Sequence, residues 1–301
     1  MIRPASFNYN PETALTNKMQ RPADIEIDPA ARARAEFDGL VHALESEGVD
    51  VCVVADSPEP PKPDAVFPNN WVSFHQDGTV VLYPMQAETR RRERRREVVD
   101  AVVTQLGFKV SRVLDLTRYE AAGQFLEGTG SLILDHIERV AYASVSPRTH
   151  PVVIEEWARE MGYEPFVFAA SDTGGVPFYH TNVLMCVGAR MAVIGTEAVA
   201  AADRDRLLER LRAGGREVIE ISQDEIARFA GNMLELATWD EALGDSRVLV
   251  MSEAARQGLA PDTFARLSGC TDAVLAVPAP TIERLGGGSV RCMLAEVFLA
   301  S

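Results

Sequence analysis

The sequence predicts an α/β fold built from repeated modules of strands and helices. Strand-like runs of aliphatic and β-branched residues recur from one end of the 301-residue chain to the other. Helical patterns, with apolar residues three or four positions apart, lie between these runs. No segment rich in Pro, Gly or Ser divides the chain. We therefore expect one catalytic α/β domain over residues 1–301, made of about five similar modules.

The predicted elements alternate as hairpin, helix and strand. Strands are predicted at 49–55, 79–83, 165–169, 217–221, 247–251, 273–277 and 292–299, with two further runs around a turn in each of 131–144 and 182–195. Helices are predicted at 29–47, 88–106, 151–161, 198–213 and 253–267. The first helix follows Asp28, a residue type that favours helix N-termini, and has apolar positions at Phe37, Leu40, Val41 and Leu44. We find no sequence repeat shared by the modules.

Composition and charge exclude several classes of protein. The net charge of −14 argues against a nucleic-acid partner, because phosphate binding needs concentrated positive charge. The four cysteines show no CxxC spacing, which argues against a zinc site or a disulfide framework and suits a reducing cytoplasm. The sequence shows neither a signal peptide nor a run of about 20 apolar residues, so we expect no membrane partner.

A glycine-rich segment before Cys292 is the most informative motif. Residues 286–288 are all glycine, and an apolar run follows the cysteine. Glycine lets the backbone approach a ligand closely. We predict that Cys292 begins a buried strand and acts as a nucleophile, with a buried and inert cysteine as the alternative.

Three other segments place polar residues among apolar ones. Asn70 follows Asp64 by six positions, and Glu127 lies at a glycine-punctuated entry to a predicted strand. In an extended segment, His180 and Asn182 project from the same face. The alternatives without a catalytic role are that Asn70 belongs to a turn, that Glu127 pairs with a surface cation and that His180 is an ordinary core histidine. Together with Cys292 these side chains provide a nucleophile, a base and a carboxylate.

Residues 90–97 read RRRERRRE. The default interpretation is a solvated helix face with ion pairs four positions apart. One arginine at the start of this helix could instead hold a substrate carboxylate.

These motifs resemble, in content and order, those of the arginine deiminase or guanidino-modifying superfamily, which includes dimethylarginine dimethylaminohydrolases and amidinotransferases. The segment Phe67–Asn70 resembles the first motif, Glu127-Gly128 the second, Ser146–Thr149 the third, His180–Asn182 the fourth and Gly286–Cys292 the last. The resemblance is closest in style to citrulline-utilisation hydrolases. It implies a five-bladed α/β propeller of ββαβ modules, the pentein fold. It also implies a small amino-acid substrate, with no metal or organic cofactor, and leaves a homo-oligomer open.

The resemblance also implies roles for individual residues. Cys292 matches the nucleophile, His180 the general acid/base and Glu127 the carboxylate that grips substrate nitrogens. Four further matches are to substrate-binding positions: Asp64, Asn70, Arg148 for the α-carboxylate, and, more weakly, Arg90 for a second carboxylate contact.

Departures from the family pattern favour a neutral substrate group. Where relatives that bind guanidinium commonly carry Asp, this chain has Asn70, Asn182 and Gly130. Two amides leave a pocket without counter-charge for a cation, and an amide can donate to a carbonyl oxygen. We therefore expect a ureido substrate such as citrulline, cleaved through an S-carbamoyl enzyme. The alternatives are an arginine deiminase or dimethylarginine hydrolase, an amidinotransferase, and a non-catalytic binder.

Overall fold

The computed structural model describes residues 1–22, 28–240 and 244–298. Its first sheet has two parallel strands, β1 (Ile2–Arg3) and β2 (Val54–Ala55). The helices α1 (Pro11–Ala14) and α2 (Pro29–Ser46) lie between them in sequence. Helix α2 starts where predicted, because the Asp28 side chain accepts a hydrogen bond from the Ala31 amide at 3.0 Å.

Four three-stranded sheets, counted over the described residues, share one topology. In each, the middle strand pairs antiparallel with the strand before it and parallel with the strand after it. Their strands are β3 (Val72–Phe74), β4 (Thr79–Leu82) and β5 (Arg112–Asp115); β6 (Ile133–Asp135), β7 (Val140–Ser144) and β8 (Glu164–Phe168); β9 (Met185–Val187), β10 (Met191–Ile194) and β11 (Glu217–Glu220); and β12 (Leu234–Asp240), β13 (Gly244–Ser252) and β14 (Ala273–Val277).

Helices connect the second and third strands of each of these sheets, because joining parallel neighbours requires a long crossover, which is usually helical. They are α3 (Glu88–Arg91) and α4 (Arg96–Leu106), α6 (Pro151–Met161), α7 (Ala201–Ala213), and α9 (Glu253–Gly258) with α10 (Pro261–Gly269). Two short helices, α5 (Gly128–Ser131) and α8 (Gln223–Ile226), precede the sheets that begin with β6 and β12. No described helix is long and apolar enough to cross a membrane.

The two ends of the described chain meet near the first of these sheets. Val297 pairs with Phe74 of β3 in a parallel bridge, and the Met1 amino group donates to the Cys52 carbonyl at 2.8 Å. The predicted α/β class and the repeated hairpin–helix–strand module are therefore confirmed.

Several element boundaries differ from the prediction. Residues 49–55 contribute only the two residues of β2, and the predicted helix 88–106 is interrupted between α3 and α4. The predicted helix 253–267 breaks before Pro261, whose ring clashes with the preceding helical turn and which starts a new helix.

Two predictions about site segments were wrong. Residues 292–299 do not form a strand from Cys292 onward, because Val290–Met293 is a 3₁₀ helix. Likewise, Thr181–Val183 is a 3₁₀ helix, so His180 and Asn182 do not share one face of an extended strand. After Asn182 the strand β9 begins at Met185, whereas after Cys292 the described residues contribute only the bridge at Val297. In both cases the polar residue belongs to a turn.

Candidate active site

Short turns that lead into the first strand of a module carry the buried polar side chains of the site. The 3₁₀ helix Pro68–Asn70 precedes β3, helix α5 precedes β6, and the 3₁₀ helix Thr181–Val183 precedes β9. Each turn places a polar residue two positions before an aliphatic residue, and the members of this set are Asn70, Ser131, Asn182, Asn232 and Cys292. All five are at most 3% exposed. The module repeat therefore places a buried polar side chain at an equivalent position of each of these turns, and Asn182 and Asn232 both reach Cys292.

The glycine segment before Cys292 makes a tight turn against other parts of the chain. Gly287 has φ +61°, a left-handed conformation that favours glycine. Its carbonyl accepts hydrogen bonds from the Tyr179 hydroxyl and from Asn17 Nδ2. Gln20 Nε2 donates to the Gly286 carbonyl at 2.9 Å. These contacts fix the backbone that presents Cys292.

Two neutral amides hydrogen-bond the Cys292 thiol group. Asn182 Nδ2 lies 3.4 Å and Asn232 Nδ2 lies 3.3 Å from Cys292 Sγ. The orientation of the Asn232 amide is fixed, because its Oδ1 accepts the Arg291 backbone N–H at 3.1 Å. Both amides can therefore donate to a negative charge on sulfur.

His180 is held by Glu127 behind the cavity. His180 Nε2 lies 2.8 Å from Glu127 Oε2, and both side chains are fully buried. Burial lowers the pKa of His180 to about 4, although the hydrogen bond and charge of Glu127 act to raise it. The ring is therefore neutral at pH 7, and because a carboxylate only accepts, its proton is on Nε2. Nδ1 is left as an acceptor.

Gly130 lies where Asn70 and His180 converge. A Cβ built on this glycine would stand 2.6 Å from Asn70 Nδ2 and 2.7 Å from His180 Nδ1. Such distances are far inside van der Waals contact. The space at this point is therefore available only because residue 130 has no side chain.

Glu127 is shared between His180 and Arg148. Burial acts to raise the pKa of Glu127, but the charge of Arg148 and the hydrogen bond to His180 outweigh it and hold this pKa well below its usual range. Arg148 Nη1 donates to Glu127 Oε2 at 3.4 Å. The remaining Arg148 donors bind the Thr13 carbonyl and the Thr16 hydroxyl, at 2.7–2.9 Å.

Arg90 is buried and paired with Glu93, which lies in the turn after α3. Its Nε and Nη2 donate to the two carboxylate oxygens of Glu93 at 2.9 and 2.8 Å. Its Nη1 donates to Asn70 Oδ1 at 2.7 Å, and its Nη2 also donates to the Phe67 carbonyl at 3.1 Å. Arg90 thus binds protein acceptors, and the predicted contact with a substrate carboxylate stays a prediction.

Asp64 has one oxygen in use and one without a partner. Its Oδ2 accepts from Asn10 Nδ2 at 2.7 Å and from the Thr13 hydroxyl at 3.2 Å. Oδ1 is buried with no hydrogen-bond partner among the described residues. Burial raises the pKa of Asp64 against the charge of Arg90, which lowers it. An unsatisfied buried carboxylate oxygen indicates room for a donor from a ligand.

These groups surround one small cavity that is closed by residues 10–20, here called the N-terminal segment. Its walls are formed by Thr13, Asn17, Gln20, Asp64, Phe67, Asn70, Arg90, Arg148, Tyr179, His180, Gly286, Gly287, Gly288 and Cys292. Its volume of about 10 Å³ is roughly that of a single water molecule. A ligand of amino-acid size therefore needs more space than this arrangement of the lining residues leaves.

The structure brings all eight predicted site residues together. Six of them line the cavity: Asp64, Asn70, Arg90, Arg148, His180 and Cys292. The other two stand directly behind it, Glu127 against His180 and Asn182 against Cys292. The eight side chains therefore form one cluster around the cavity, and their roles toward a substrate stay predictions.

Sequence reasoning missed Asn232, Glu93 and the N-terminal segment. The signal for Asn232 was its position two residues before Leu234, which repeats the spacing of Asn182 and Leu184. Glu93 was part of a charged run interpreted as a solvated face. The N-terminal segment has no motif that distinguishes it from an ordinary loop.

Comparison with known sequences gives one family. A sequence profile of the family described as "N,N dimethylarginine dimethylhydrolase, eukaryotic" matches residues 3–299. The comparison with curated proteins gives no match.

Solved structures of similar shape include arginine-modifying enzymes. One is the N-terminal domain of ArgZ, an arginine dihydrolase from the ornithine–ammonia cycle in cyanobacteria, solved as a Cys-to-Ser variant bound to substrate. This domain is 18% identical to the present chain, with a TM-score of 0.72. The match covers 99% of this chain and 98% of that domain. The whole apo ArgZ chain is 19% identical with a TM-score of 0.73, covering 97% of this chain and 39% of ArgZ. This chain therefore spans about two fifths of ArgZ.

A third solved structure is a His-to-Gly variant of a dimethylarginine dimethylaminohydrolase in an adduct with S-methyl-L-thiocitrulline. It is 17% identical with a TM-score of 0.63, and the match covers 97% of this chain and 96% of that chain. At these identities the similarity establishes a shared fold.

Proposed function

Since the chain belongs to the N,N-dimethylarginine dimethylhydrolase family, we propose that it is a cysteine-dependent hydrolase of C–N bonds whose substrate is citrulline. The observation that carries the choice of citrulline is the pair of neutral amides, Asn182 and Asn232, at the Cys292 sulfur. We also propose that residues 1–301 form one catalytic domain whose five modules close into a five-bladed propeller.

The charges around the cavity match a substrate with an uncharged head group. Of the charged side chains that line it, Arg90 is balanced by Glu93 and Arg148 by Glu127. Asp64 remains to receive an α-ammonium group. A ureido group adds no charge to this arrangement, whereas a guanidinium adds a cation without a free carboxylate among the described lining residues. Burying such a cation is costly.

The amino-acid end of the substrate is assigned to Asp64 and Arg148. Asp64 Oδ1, which is buried without a partner, accepts from the α-ammonium. Arg148 binds the α-carboxylate once Thr13 and Thr16 release its donors. Substrate binding therefore exchanges contacts of the N-terminal segment for contacts with the substrate carboxylate.

The reaction follows from the positions of His180 and Cys292. His180 Nδ1 takes the proton of Cys292, and the thiolate forms a bond to the ureido carbon. The bond from this carbon to the ornithine nitrogen breaks, and that nitrogen takes the proton back from His180. His180 then activates water, which cleaves the S-carbamoyl enzyme. Carbamate leaves and decomposes to ammonia and carbon dioxide, and Asn70 and Asn182 hydrogen-bond the ureido group throughout.

A second candidate, hydrolysis of a guanidino group, is favoured by the match to the dimethylarginine dimethylhydrolase family and by the similarity to ArgZ, an arginine dihydrolase. In that reaction Asp64 and Glu127 would have to balance the cation. Glu127 already accepts from the Gln86 amide, Arg148 and His180. It would lose these contacts to serve the substrate.

The two candidates are separated by product analysis. Purified protein is incubated with citrulline, arginine or dimethylarginine, and ornithine, citrulline and ammonia are measured. We expect ornithine and ammonia from citrulline, none from Cys292→Ala, and undiminished rates from Cys270→Ser, a matched control because Cys270 is also buried but contacts Glu217. Faster consumption of arginine or dimethylarginine would assign the guanidino reaction instead, and turnover by Cys292→Ala would eliminate both.

A further inference from the structure

A chain of three buried side chains leads from α3 to the cavity. Glu93 binds Arg90 through both carboxylate oxygens, and Arg90 binds Asn70 through Nη1. Arg90 and Glu93 are 2% and 3% exposed, so solvent does not compete for these bonds. Two parallel N–H···O bonds fix the plane of a guanidinium, and with it the direction of its remaining donors.

This arrangement decides which edge of the Asn70 amide faces the substrate. An arginine side chain only donates, so the Asn70 atom 2.7 Å from Arg90 Nη1 is the oxygen. The opposite edge, Nδ2, donates to Asn69 Oδ1 at 3.1 Å and points to the space beside Gly130 and His180. One N–H of Nδ2 is thus taken by Asn69, and the second is available to a ligand.

We propose that the Glu93–Arg90 pair determines substrate specificity by fixing the orientation of the Asn70 amide. In this orientation the N–H group of Asn70 points toward the reacting group of the substrate. The site therefore prefers a substrate that has a carbonyl oxygen at that position. This inference rests on the proposed function, because it names the feature of the ureido group that the enzyme recognises. Glu93 and Arg90 act here as positioning residues, and Asn70 touches the substrate.

The same contacts occupy most of the Arg90 donors, which favours a positioning role over binding of the substrate carboxylate. Its Nε and Nη2 donors serve Glu93 and the Phe67 carbonyl, and one Nη1 donor serves Asn70. Its Nη1 also stands 4.0 Å from Glu127 Oε2. Without Glu93, the nearest carboxylate for Arg90 is Glu127, and a move toward it would release the Asn70 oxygen. The amide could then turn and offer either edge.

A guanidinium presents only N–H groups, so it offers no acceptor to an Asn70 amide whose N–H group is fixed toward the substrate. A ureido oxygen accepts the same N–H. A site built around one hydrogen bond discriminates strongly against a ligand that cannot complete it, because the buried donor is left unpaired. If Asn70 is no longer held in one orientation, the preference for citrulline over arginine should change, and not only the affinity for both ligands.

The test measures binding of citrulline and arginine by calorimetry in a Cys292→Ala background, where no turnover occurs. The readout is the ratio of the arginine Kd to the citrulline Kd, which does not depend on the active fraction of a preparation. Arg90→Lys keeps a side chain that only donates, and we expect it to retain the ratio. Arg90→Gln offers a donor and an acceptor, so it no longer fixes Asn70, and we expect the ratio to fall about tenfold or more.

Two further variants keep the proposal falsifiable if Arg90→Gln fails to fold. Glu93→Gln removes the anion that holds Arg90 and should lower the ratio in the same way. Asn70→Asp places an acceptor where the amide donated and should reverse the preference toward arginine. Equal losses of both affinities, with an unchanged ratio in the folded variants among these, would overturn the proposal. Failure of the proposed function is seen separately, as absence of citrulline turnover by the unmodified protein.

Discussion

Asn232 Nδ2 lies 3.3 Å from Cys292 Sγ, and the backbone N–H of Arg291 fixes the orientation of this amide. The second N–H of the same nitrogen donates to the Asn182 carbonyl at 2.9 Å. Asn232 therefore links Arg291, which precedes Cys292 in sequence, to the turn that carries Asn182. A rigid neutral donor next to sulfur stabilises a thiolate without adding a positive charge to the cavity.

This relationship predicts different effects for two substitutions, one that shortens the side chain and one that keeps its size but changes its charge. Asn232→Ala removes the donor, and we expect kcat to fall by about tenfold to 100-fold, the value of a hydrogen bond to a charged group. Asn232→Asp preserves the volume but places a carboxylate beside the sulfur, so we expect a larger loss. Measured kcat values and the rate at which iodoacetamide labels the Cys292 peptide check both effects. A milder effect for Asp than for Ala would show that Asn232 only fills space.

Stability should fall on acidification because His180 is buried in its neutral form. Its folded pKa is about 4, below the ordinary value of 6.5. Between these two pKa values the unfolded state binds more protons than the folded state, so the free energy of unfolding rises with pH. The contribution of His180 to stability is therefore complete above pH 6.5 and is lost as the pH falls toward 4. Thermal melting from pH 4 to 7 should show a shallower pH dependence in His180→Asn than in the unmodified protein. Cys292→Ala serves as the control, and identical slopes in all three proteins would contradict the assignment.

Gly130→Ala should damage the site through steric conflict alone. The new methyl group would stand 2.6 Å from Asn70 Nδ2 and 2.8 Å from His180 Cε1. Overpacking of this kind costs about 1–3 kcal/mol, and we expect a lower melting temperature together with loss of turnover. The matched control is Gly39→Ala in α2, where the added carbon meets no atom within 4 Å. That variant should be stabilised by about 1 kcal/mol because alanine favours the helix.

Arg148→Lys should affect only substrates with an α-carboxylate. Lysine keeps the charge beside Glu127 but cannot form a bidentate contact. We expect kcat/KM for citrulline to decrease by about tenfold to 100-fold. The inhibition constant of N-butylurea, which has the ureido group but no carboxylate, should stay the same. Parallel losses for both molecules would assign Arg148 to the support of Glu127 instead.

The sequence was sufficient to single out Cys292, His180 and Glu127. Cys292 and Glu127 stood out because they lie beside glycines, and His180 because it lies among polar residues in an apolar stretch; the structure brings the three together. The α/β module repeat also followed from hydrophobic periodicity. These features depend on residue type and on short-range patterns, which a single sequence contains.

Other features depend on partners that are distant or ambiguous in sequence. A 3₁₀ turn and a strand entry differ by a few hydrogen bonds, so the backbone at Cys292 and Asn182 was predicted incorrectly. In the arginine run, Arg96 pairs with Asp100 in solvent as expected, whereas Arg90 is buried. Nothing in a run of like residues marks the one that the fold encloses. Asn232 resembled any turn residue after a glycine.

The contacts that close the cavity join residues very distant along the chain. Asn17 and Gly287 are 270 positions apart, and Gln20 and Gly286 are 266 apart. Contacts of such separation form slowly, because a long loop must close before they gain any energy. The individual modules can acquire their secondary structure earlier, from neighbouring segments. Catalytic competence is therefore one of the last properties that a folding chain acquires, and the recovery of activity after dilution from denaturant should lag behind the recovery of circular dichroism.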